Sequence, residues 1–209
     1  MNDQPTVYVV DDDPDIRASL MRLFDAVGLR TELFESAEQF LQAGHATSPG
    51  CLLLDARMPG MGGLQLLKHL QSLTEHPTVI MLTGHGDIPM VLQALKSGAL
   101  DFIEKPANHQ RLLESVNKGL ALDREKRAAE LERRQFRTSI EALSARERQV
   151  LERMVGGASN KTIAQELGIS DRTLEKHRAQ IMQKMGARSL TDLIRAAVLH
   201  GSPYIRRCQ

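Results

Sequence analysis

The sequence lacks tryptophan, has only two cysteines and contains few aromatic residues. Phe, Tyr and Trp make up 3% of the 209 residues, which argues against a surface that stacks the bases of single-stranded nucleic acid. Cys51 and Cys208 are too few for a disulfide framework or a cysteine-ligated zinc site. No apolar run approaches the roughly 20 residues of a membrane-spanning helix, and the acidic beginning of the chain lacks the pattern of a signal peptide. We therefore expect a cytoplasmic protein without a membrane partner.

Charge is divided unevenly along the chain. Residues 1–122 hold 9 basic and 15 acidic residues, a formal charge of −6, whereas residues 123–209 hold 18 and 11, a charge of +7; together they give the +1 of the whole chain. An acidic half followed by a basic half predicts two domains with different partners, and the basic half is a candidate for contact with a polyanion. We place a first domain at 1–122, a helical linker at 123–141 and a second domain at 142–209.

Short apolar runs alternate with helical patterns through the first half of the chain. The runs predict buried strands at residues 6–10, 31–34, 51–54, 78–82 and 101–103, with a helix after each. Five strands and five helices in this order predict a parallel sheet that is covered on both faces.

Polar residues follow these strands, at the edge of the sheet where α/β proteins bind their ligands. Asp13, which precedes Pro14, is predicted to cap a helix. The carboxylates that follow the first and third strands, Asp11, Asp12 and Asp55, are oxygen ligands that suit a hard cation such as Mg²⁺. A carboxylate can also act as a nucleophile and accept a phosphoryl group. A lysine and a hydroxyl group can then stabilise the charge of the transferred group. The residues that fill these roles are Asp12 as metal ligand, Asp55 as nucleophile, Thr83 as hydroxyl donor and Lys105 as cation.

Four motifs in this half resemble those of the receiver domain of two-component response regulators. They are VVDDD, LLLDARMPGMGG, MLTGHGDIPM and DFIEKP, and the resemblance covers about residues 5–122. It implies a flavodoxin-like (βα)5 fold and phosphorylation of Asp55 by a sensor histidine kinase. It also implies that Mg²⁺ (or Mn²⁺) is bound through Asp12, Asp55 and the backbone carbonyl of Arg57, with Asp11 supporting the metal and its waters.

The same resemblance implies a switch and an unusual peptide bond. Thr83 and Phe102 match the positions where a hydroxyl group moves toward the phosphoryl group and an aromatic ring turns inward. Lys105–Pro106 matches a cis peptide bond, which proline makes possible. Ala107 departs from the pattern, because close relatives often carry Phe after Lys-Pro.

A long helix is expected to connect the two halves. Residues 108–141 contain no proline, and Gly119 is their only glycine. Helix formers of mixed charge predict that the fifth helix continues as one rod of about 50 Å, at 1.5 Å per residue. Its apolar spacing is interrupted at Arg124 and Arg127, so a coiled coil and a solvated helical linker both remain open.

The second half is predicted to form four helices. Ser144 and Glu147 form a capping box before the first, Ser170 caps the third, which is long and basic, and the last ends at Gly201. A short helix, a tight glycine-containing turn and a longer basic helix are typical of a helix-turn-helix. Residues 142–209 hold 12 basic and 6 acidic residues, which favours contact with double-stranded DNA.

Three motifs in this half, LSARERQVL, NKTIAQELGISDRTLEKH and MQKMGARSLTDL, resemble the output domain of LuxR/NarL/FixJ regulators. The resemblance covers about residues 140–200, and the strings HGDIPM and FIEKP favour the FixJ-like branch. It implies that Glu175, Lys176 and Ala179 face the major groove. Packing of His177 between helices is an open alternative to its contact with phosphate. The residues expected at the phosphate backbone or in the basic cluster beside it are Asn160, Lys161, Arg172, Thr173, His177, Arg178 and Lys184.

We interpret the chain as a DNA-binding transcriptional regulator, expected to be an activator, that phosphorylation switches by shifting a pre-existing equilibrium. A surface of the fourth helix, fifth strand and fifth helix would then form a homodimer or release the second domain. The expected partners are a sensor histidine kinase, a double-stranded DNA operator and RNA polymerase. The only expected catalysis is self-phosphorylation from a phosphodonor and autodephosphorylation. A protein-binding regulator whose basic domain serves assembly is the alternative; a freestanding phosphatase or nucleotide enzyme lacks a substrate-pocket signature and a phosphate-binding glycine loop.

Overall fold

A computed structural model describes residues 5–84 and 88–199. The chain divides into two units, the first ending at Arg127 and the second beginning at Ala128. The helix end expected at Gly201, and Cys208, lie outside the described residues.

The first unit is built on one parallel sheet. Its strands are β1 (Thr6–Val10), β2 (Arg30–Phe34), β3 (Gly50–Asp55), β4 (Thr78–Thr83) and β5 (Asp101–Glu104), and they lie side by side in the order β2-β1-β3-β4-β5. Every residue of β1, β3 and β4 is buried. Strands covered on both faces appear in a sequence as continuous apolar runs, which explains why the predicted bounds of β1, β3 and β4 agree with the observed ones within one residue at either end. The predicted fold class is confirmed.

Helices cover both faces of this sheet. They are α1 (Pro14–Ala26), α2 (Ala37–Gln42), α3 (Gly63–Gln71), α4 (Ile88–Lys96) and α5 (His109–Glu141), with a short 3₁₀ helix at His45–Thr47. On one face α1 and α5 contribute Phe24, Leu112 and Val116 to an apolar cluster, and on the other Phe40 of α2 and Leu66 of α3 pack beneath the strands. The Asp13 carboxylate caps α1, as predicted, and accepts hydrogen bonds from the Asp15 and Ile16 amides.

The second unit contains the four predicted helices: α6 (Ala145–Val155), α7 (Asn160–Leu167), α8 (Asp171–Lys184) and α9 (Leu190–Leu199). Ser144 and Glu147 form the predicted capping box, and Gly168 ends α7 with φ +62°, a conformation that favours glycine. One apolar cluster holds the unit together through Val150, Ile163, Leu174, Ile181 and Leu193. No helix in the two described stretches of chain is long and apolar enough to cross a membrane.

The helix α5 packs on the first unit beyond residue 122, where we placed the end of the first domain. Asp123 is only 3% exposed, and its carboxylate accepts hydrogen bonds from the amide of Gly50 and from Arg127 Nε, both at 2.9 Å. The same guanidinium donates to the carbonyl oxygens of Thr47, at 3.1 Å, and Ser48, at 2.8 Å. Burial raises the pKa of Asp123, against the opposite effect of these hydrogen bonds. The first 19 residues of α5 therefore belong to the first unit.

Replacing Arg127 should destabilise the first unit, because the nearly buried carboxylate of Asp123 would lose its cation. We expect Arg127→Ala to lower the free energy of unfolding by about 2–4 kcal/mol. The control is Arg124→Ala, since Arg124 is exposed on the same helix, and it should change stability by less than about 0.5 kcal/mol. Urea unfolding followed by circular dichroism measures both, and equal midpoints for the two variants would contradict the prediction.

Candidate functional site

The carboxyl ends of the parallel strands bring the predicted polar residues together. Asp11 directly follows β1, Asp55 is the last residue of β3, Thr83 is the last of β4, and Lys105 directly follows β5. Since β1, β3, β4 and β5 are neighbours in the sheet, these four residues and Asp12 converge at one edge.

A lysine bridges two buried carboxylates at this edge. Lys105 Nζ lies 2.6 Å from Asp11 Oδ2 and 3.2 Å from Asp55 Oδ1. Asp11 is fully buried and Asp55 is nearly so, whereas Asp12 is exposed. One carboxylate oxygen from each of the three aspartates lies within 4.8 Å of the others. The group is therefore buried on the protein side and open to solvent at Asp12.

The electrostatics of this cluster leave an excess of negative charge. Burial raises the pKa of Asp55, reinforced by the charges of Asp11 and Asp12 and opposed by Lys105. Burial acts to lower the pKa of Lys105, but its hydrogen bonds and charge interactions with Asp11 and Asp55 outweigh that effect and hold the pKa above its usual value. Lys105 is thus a cation at neutral pH, and one ammonium faces three carboxyl groups. Such an oxygen-only set suits a divalent cation of the Mg²⁺ class.

Backbone contacts that the sequence did not indicate hold the acidic residues in place. The Asp11 carboxylate accepts a hydrogen bond from the amide of Asp13 at 3.0 Å, and the Arg17 guanidinium donates to the Asp11 carbonyl at 2.6 Å. In the loop after β3, the Met61 amide donates to the Glu38 carboxylate at 2.8 Å, which lowers the pKa of Glu38. No sequence pattern identified either contact: Arg17 donates to a carbonyl six residues earlier, and Glu38 accepts from an amide 23 residues later.

Gly63, the first residue of α3, has a steric role at the end of β3. A Cβ atom at this position would lie 2.0 Å from the backbone oxygen of Asp55, whereas one at Gly62 would meet nothing closer than 3.8 Å. The absence of a side chain at Gly63 allows α3 to begin directly against the end of β3. The glycine pair visible in the sequence was the signal for this contact.

The predicted switch residues lie next to the acidic cluster. Thr83 is 1% exposed, and its carbonyl oxygen accepts a hydrogen bond from the Lys105 amide at 2.7 Å. Phe102 is partly buried against the apolar cluster that includes α3 and α4. The Lys105–Pro106 peptide bond is cis, as expected. Arg57, whose carbonyl was the expected metal ligand, is exposed two residues after Asp55.

The small residue at position 107 leaves space beside Lys105. Ala107 lines a cavity of about 130 Å³ together with Leu20, Leu82 and Leu112. Ala107 itself packs only partly against the apolar cluster of α1 and α5. The side chain at position 107 is thus apolar and takes no part in the polar contacts of the site.

The second unit presents most of its predicted DNA contacts on α7 and α8. Asn160 and Lys161 are exposed at the start of α7, and Arg178 of α8, which is partly buried, donates to the Asn160 side-chain oxygen at 2.8 Å. The Ser170 side chain caps α8 by accepting a hydrogen bond from the Thr173 amide at 3.2 Å. The exposed residues in the first two turns of α8 are Asp171, Arg172, Thr173, Glu175 and Lys176.

Two of the predicted DNA contacts, Lys184 and His177, have surroundings that differ from those of the others. Lys184 Nζ lies 2.8 Å from the carboxylate of Glu147, which differs from the expectation that Lys184 lies toward phosphate. The physical reason is that Glu147, 3% exposed, needs a cation. His177 Nδ1 is buried without a hydrogen-bond partner among residues 5–84 and 88–199, which favours the packing alternative for His177.

Comparisons with known proteins match the two halves of the chain to two different families. Residues 7–117 match the family described as response regulator receiver domain, and residues 141–197 match bacterial regulatory proteins of the luxR family. The chain is 46% identical to transcriptional regulatory protein FixJ of Azorhizobium caulinodans, over 93% of this chain and 92% of FixJ. It is 41% identical to transcriptional regulatory protein TdiR of Thauera aromatica, over 97% and 89%. The solved structure of response regulator StyR covers 93% of this chain and 98% of its own, with a TM-score of 0.85 and 41% identity.

A methyl group at Gly63 should displace the end of β3. We expect Gly63→Ala to destabilise the first unit by about 1–3 kcal/mol, as overpacking in a close contact does. Gly62→Ala is the matched control, because its Cβ atom would make an ordinary van der Waals contact, and it should be close to neutral. Thermal unfolding followed by circular dichroism compares the two variants. An unchanged melting temperature for Gly63→Ala would show that the contact is not restrictive.

Proposed function

The chain belongs to the bacterial response regulators that join a receiver domain to a LuxR-type DNA-binding domain, and we propose that this phosphorylation-switched transcription regulator accepts its phosphoryl group on Asp55. The observation that carries the proposal is the bridge from Lys105 to Asp11 and Asp55, beside the exposed Asp12. A nucleophilic carboxylate, a cation for the transferred group and an acidic cluster thus share one solvent-facing edge. A sensor histidine kinase is the proposed donor.

Each residue of the site has a defined part in the transfer. A carboxylate oxygen of Asp55 forms the bond to phosphorus as the bond to the donor's phosphohistidine nitrogen breaks. Lys105 offers positive charge, and the Thr83 hydroxyl can donate a hydrogen bond to an oxygen of the phosphoryl group. The same groups would support self-phosphorylation from a small phosphodonor, and attack of water on phosphorus would return Asp55 to its free form.

A divalent cation fits the three aspartates. Asp11, Asp12, Asp55 and the backbone carbonyl of Arg57 are the residues proposed to hold Mg²⁺ or Mn²⁺. Bound there, the ion would neutralise the charge that develops on the phosphoryl oxygens. Its support is the set of oxygen atoms within 4.8 Å and the single ammonium that opposes them.

Coupling to the second unit is proposed to run through Thr83, Phe102 and the surface of α4, β5 and α5. The helix α4 carries the exposed apolar side chains Ile88, Leu92 and Leu95, which are 76%, 51% and 44% accessible. Apolar side chains grouped on one helix are typical of a surface that a partner covers. A homodimer formed there on phosphorylation would present two DNA-binding units, and RNA polymerase is the proposed partner at the promoter.

The exposed face of α7 and α8 is the proposed DNA surface. Glu175 and Lys176 would reach base edges in the major groove, beside Ala179. Asn160, Lys161, Arg172, Thr173 and Arg178 would contact or support contacts to phosphates. A homodimer would then read two half-sites about one helical turn apart.

A duplex-library selection at fixed, near-physiological salt tests the function as a whole. The samples are the wild-type chain with and without a phosphoryl mimic and Mg²⁺, and Asp55→Asn under both conditions. We expect an inverted repeat to be enriched only by activated wild type. Equal enrichment in all samples would keep the DNA-binding function and contradict phosphoryl control of binding. No enrichment in any sample would favour the alternative, a protein-binding regulator whose basic domain serves assembly.

Asp55→Asn should abolish phosphoryl-dependent activation, because an amide cannot form the acyl phosphate. Promoter activity under inducing conditions is the measurement. The control for loss of a carboxylate is Asp25→Asn, at an exposed position of α1 outside the acidic cluster and the proposed coupling surface. Equal activation by Asp55→Asn and wild type would place the phosphoryl group on another residue.

Lys161→Ala and Glu175→Ala should affect DNA binding differently. Loss of Lys161 is expected to weaken binding to all sequences by a similar factor and to reduce the salt slope by about 1. Loss of Glu175 is expected to change base preference, because a carboxylate in the groove accepts hydrogen bonds from particular bases. Matching specificity profiles for Glu175→Ala and wild type would refute the base-reading role.

A further inference from the structure

We infer that Lys184 is a positioning residue of DNA recognition: it fixes the last turn of α8 to α6 through Glu147 and sets the angle at which α8 presents its base-reading residues. The inference rests on the proposed role of α8 in the major groove. It replaces the expectation that the Lys184 ammonium binds a DNA phosphate.

The contacts of Lys184 point into the second unit. Its ammonium lies 2.8 Å from Glu147 Oε2 and 3.3 Å from the carbonyl oxygen of Ala142. The Glu147 carboxylate also accepts a hydrogen bond from the Ser144 amide at 2.6 Å, within the capping box that begins α6. Two of the three ammonium donors are therefore engaged at the junction between the start of α6 and the end of α8.

Moving the Lys184 ammonium from Glu147 to a DNA phosphate is energetically unfavourable. Glu147 is 3% exposed, whereas the Lys184 side chain is 39% exposed. Moving the ammonium to DNA would leave a nearly buried carboxylate without its cation, and an unpaired buried charge is strongly unfavourable. The hydrogen bond from Lys184 accordingly holds the pKa of Glu147 below its usual value. Lys161, at the start of α7, is exposed and has no ion pair within the described part of the chain.

The position of Lys184 on α8 gives the pair its effect on recognition. Lys184 is the last residue of α8, and Lys176 lies eight residues earlier, about 12 Å along the helix axis. Near that earlier region α8 is tied to α7 by the bond from Arg178 to Asn160, and Leu174 and Ile181 are buried beneath it. The Lys184–Glu147 pair is thus the tie at the far end of the helix. Without it, α8 can tilt or rotate, and side chains that must meet base edges within a hydrogen-bond length lose their register.

The experiment compares matched lysine variants of the full, activated chain. Lys184→Met and Lys161→Met each remove one ammonium and keep the length of the side chain, and Glu147→Gln removes the partner of Lys184. Affinity is measured for the selected operator duplex and for a scrambled duplex over a salt series. Circular dichroism melts set a temperature at which every variant is folded, and Glu147→Gln tests the pair even if Lys184→Met melts too early.

We expect Lys161→Met to lower the slope of log affinity against log salt concentration by about 1. It should weaken binding to the operator and to the scrambled duplex by the same factor. Lys184→Met should instead leave the salt slope and the affinity for the scrambled duplex unchanged. Its affinity for the operator should fall about tenfold, as it does when one well-placed base contact is lost. Glu147→Gln should weaken the operator in the same way, although it removes a negative charge.

Two results would overturn the inference. A lower salt slope with equal loss on both duplexes for Lys184→Met would make Lys184 a phosphate contact, and operator affinity that Glu147→Gln leaves unchanged or increases would show that the pair does not position α8. Failure of the wild-type chain to bind any duplex is distinguishable from both. It would overturn the proposed DNA-binding face and the positioning role together.

Discussion

The contact between Lys105 and the carboxylates of Asp11 and Asp55 is the interaction on which the proposed phosphoryl-accepting edge depends. Three carboxyl groups within a few ångströms repel one another, and two of them are shielded from water. Lys105, directly after β5, lowers that repulsion by its contacts with Asp11 and Asp55. Asp12 is the exposed member of the three. One ammonium thus faces three carboxyl groups, which is the charge arrangement on which the proposed cation site rests.

The strand β3 connects this edge to the opposite end of the sheet. Its last residue, Asp55, carries the proposed phosphoryl group, and the amide of its first residue, Gly50, is held by Asp123 of α5. Gly63 packs against the Asp55 backbone oxygen, so the strand has little freedom to shift along its axis. Thr83, at the end of the neighbouring strand β4, is buried as well, whereas Phe102 of β5 is only partly buried.

Some of this architecture was accessible from the sequence because it follows local rules. Buried parallel strands are apolar runs. Their carboxyl ends lie at one edge of the sheet, and this brings Asp11, Asp55 and Lys105 together independently of the conformation of the loops. The contacts that sequence reasoning missed are long-range pairs. Arg127 reads as a charge on a linker helix, and only the fold shows that it binds carbonyl oxygens of residues about 80 positions earlier. The boundary between the two compact units, after Arg127, lies within the stretch 123–141 that we predicted as a helical linker.

The same distinction applies to charge in the second unit. Its excess of basic residues suggests a broad cationic surface, but several of these residues stabilise the unit itself. Arg146 donates to the carbonyl of Leu167 and Arg148 to that of Leu143, while Arg153 pairs with Glu166. Cations engaged in this way keep helix ends and loops in place and release few counterions when DNA binds. The number of counterions released on binding equals roughly the number of phosphates that the protein neutralises. The salt dependence of binding should thus follow the number of cations of α7 and α8 that contact phosphate, and not the net charge of the unit.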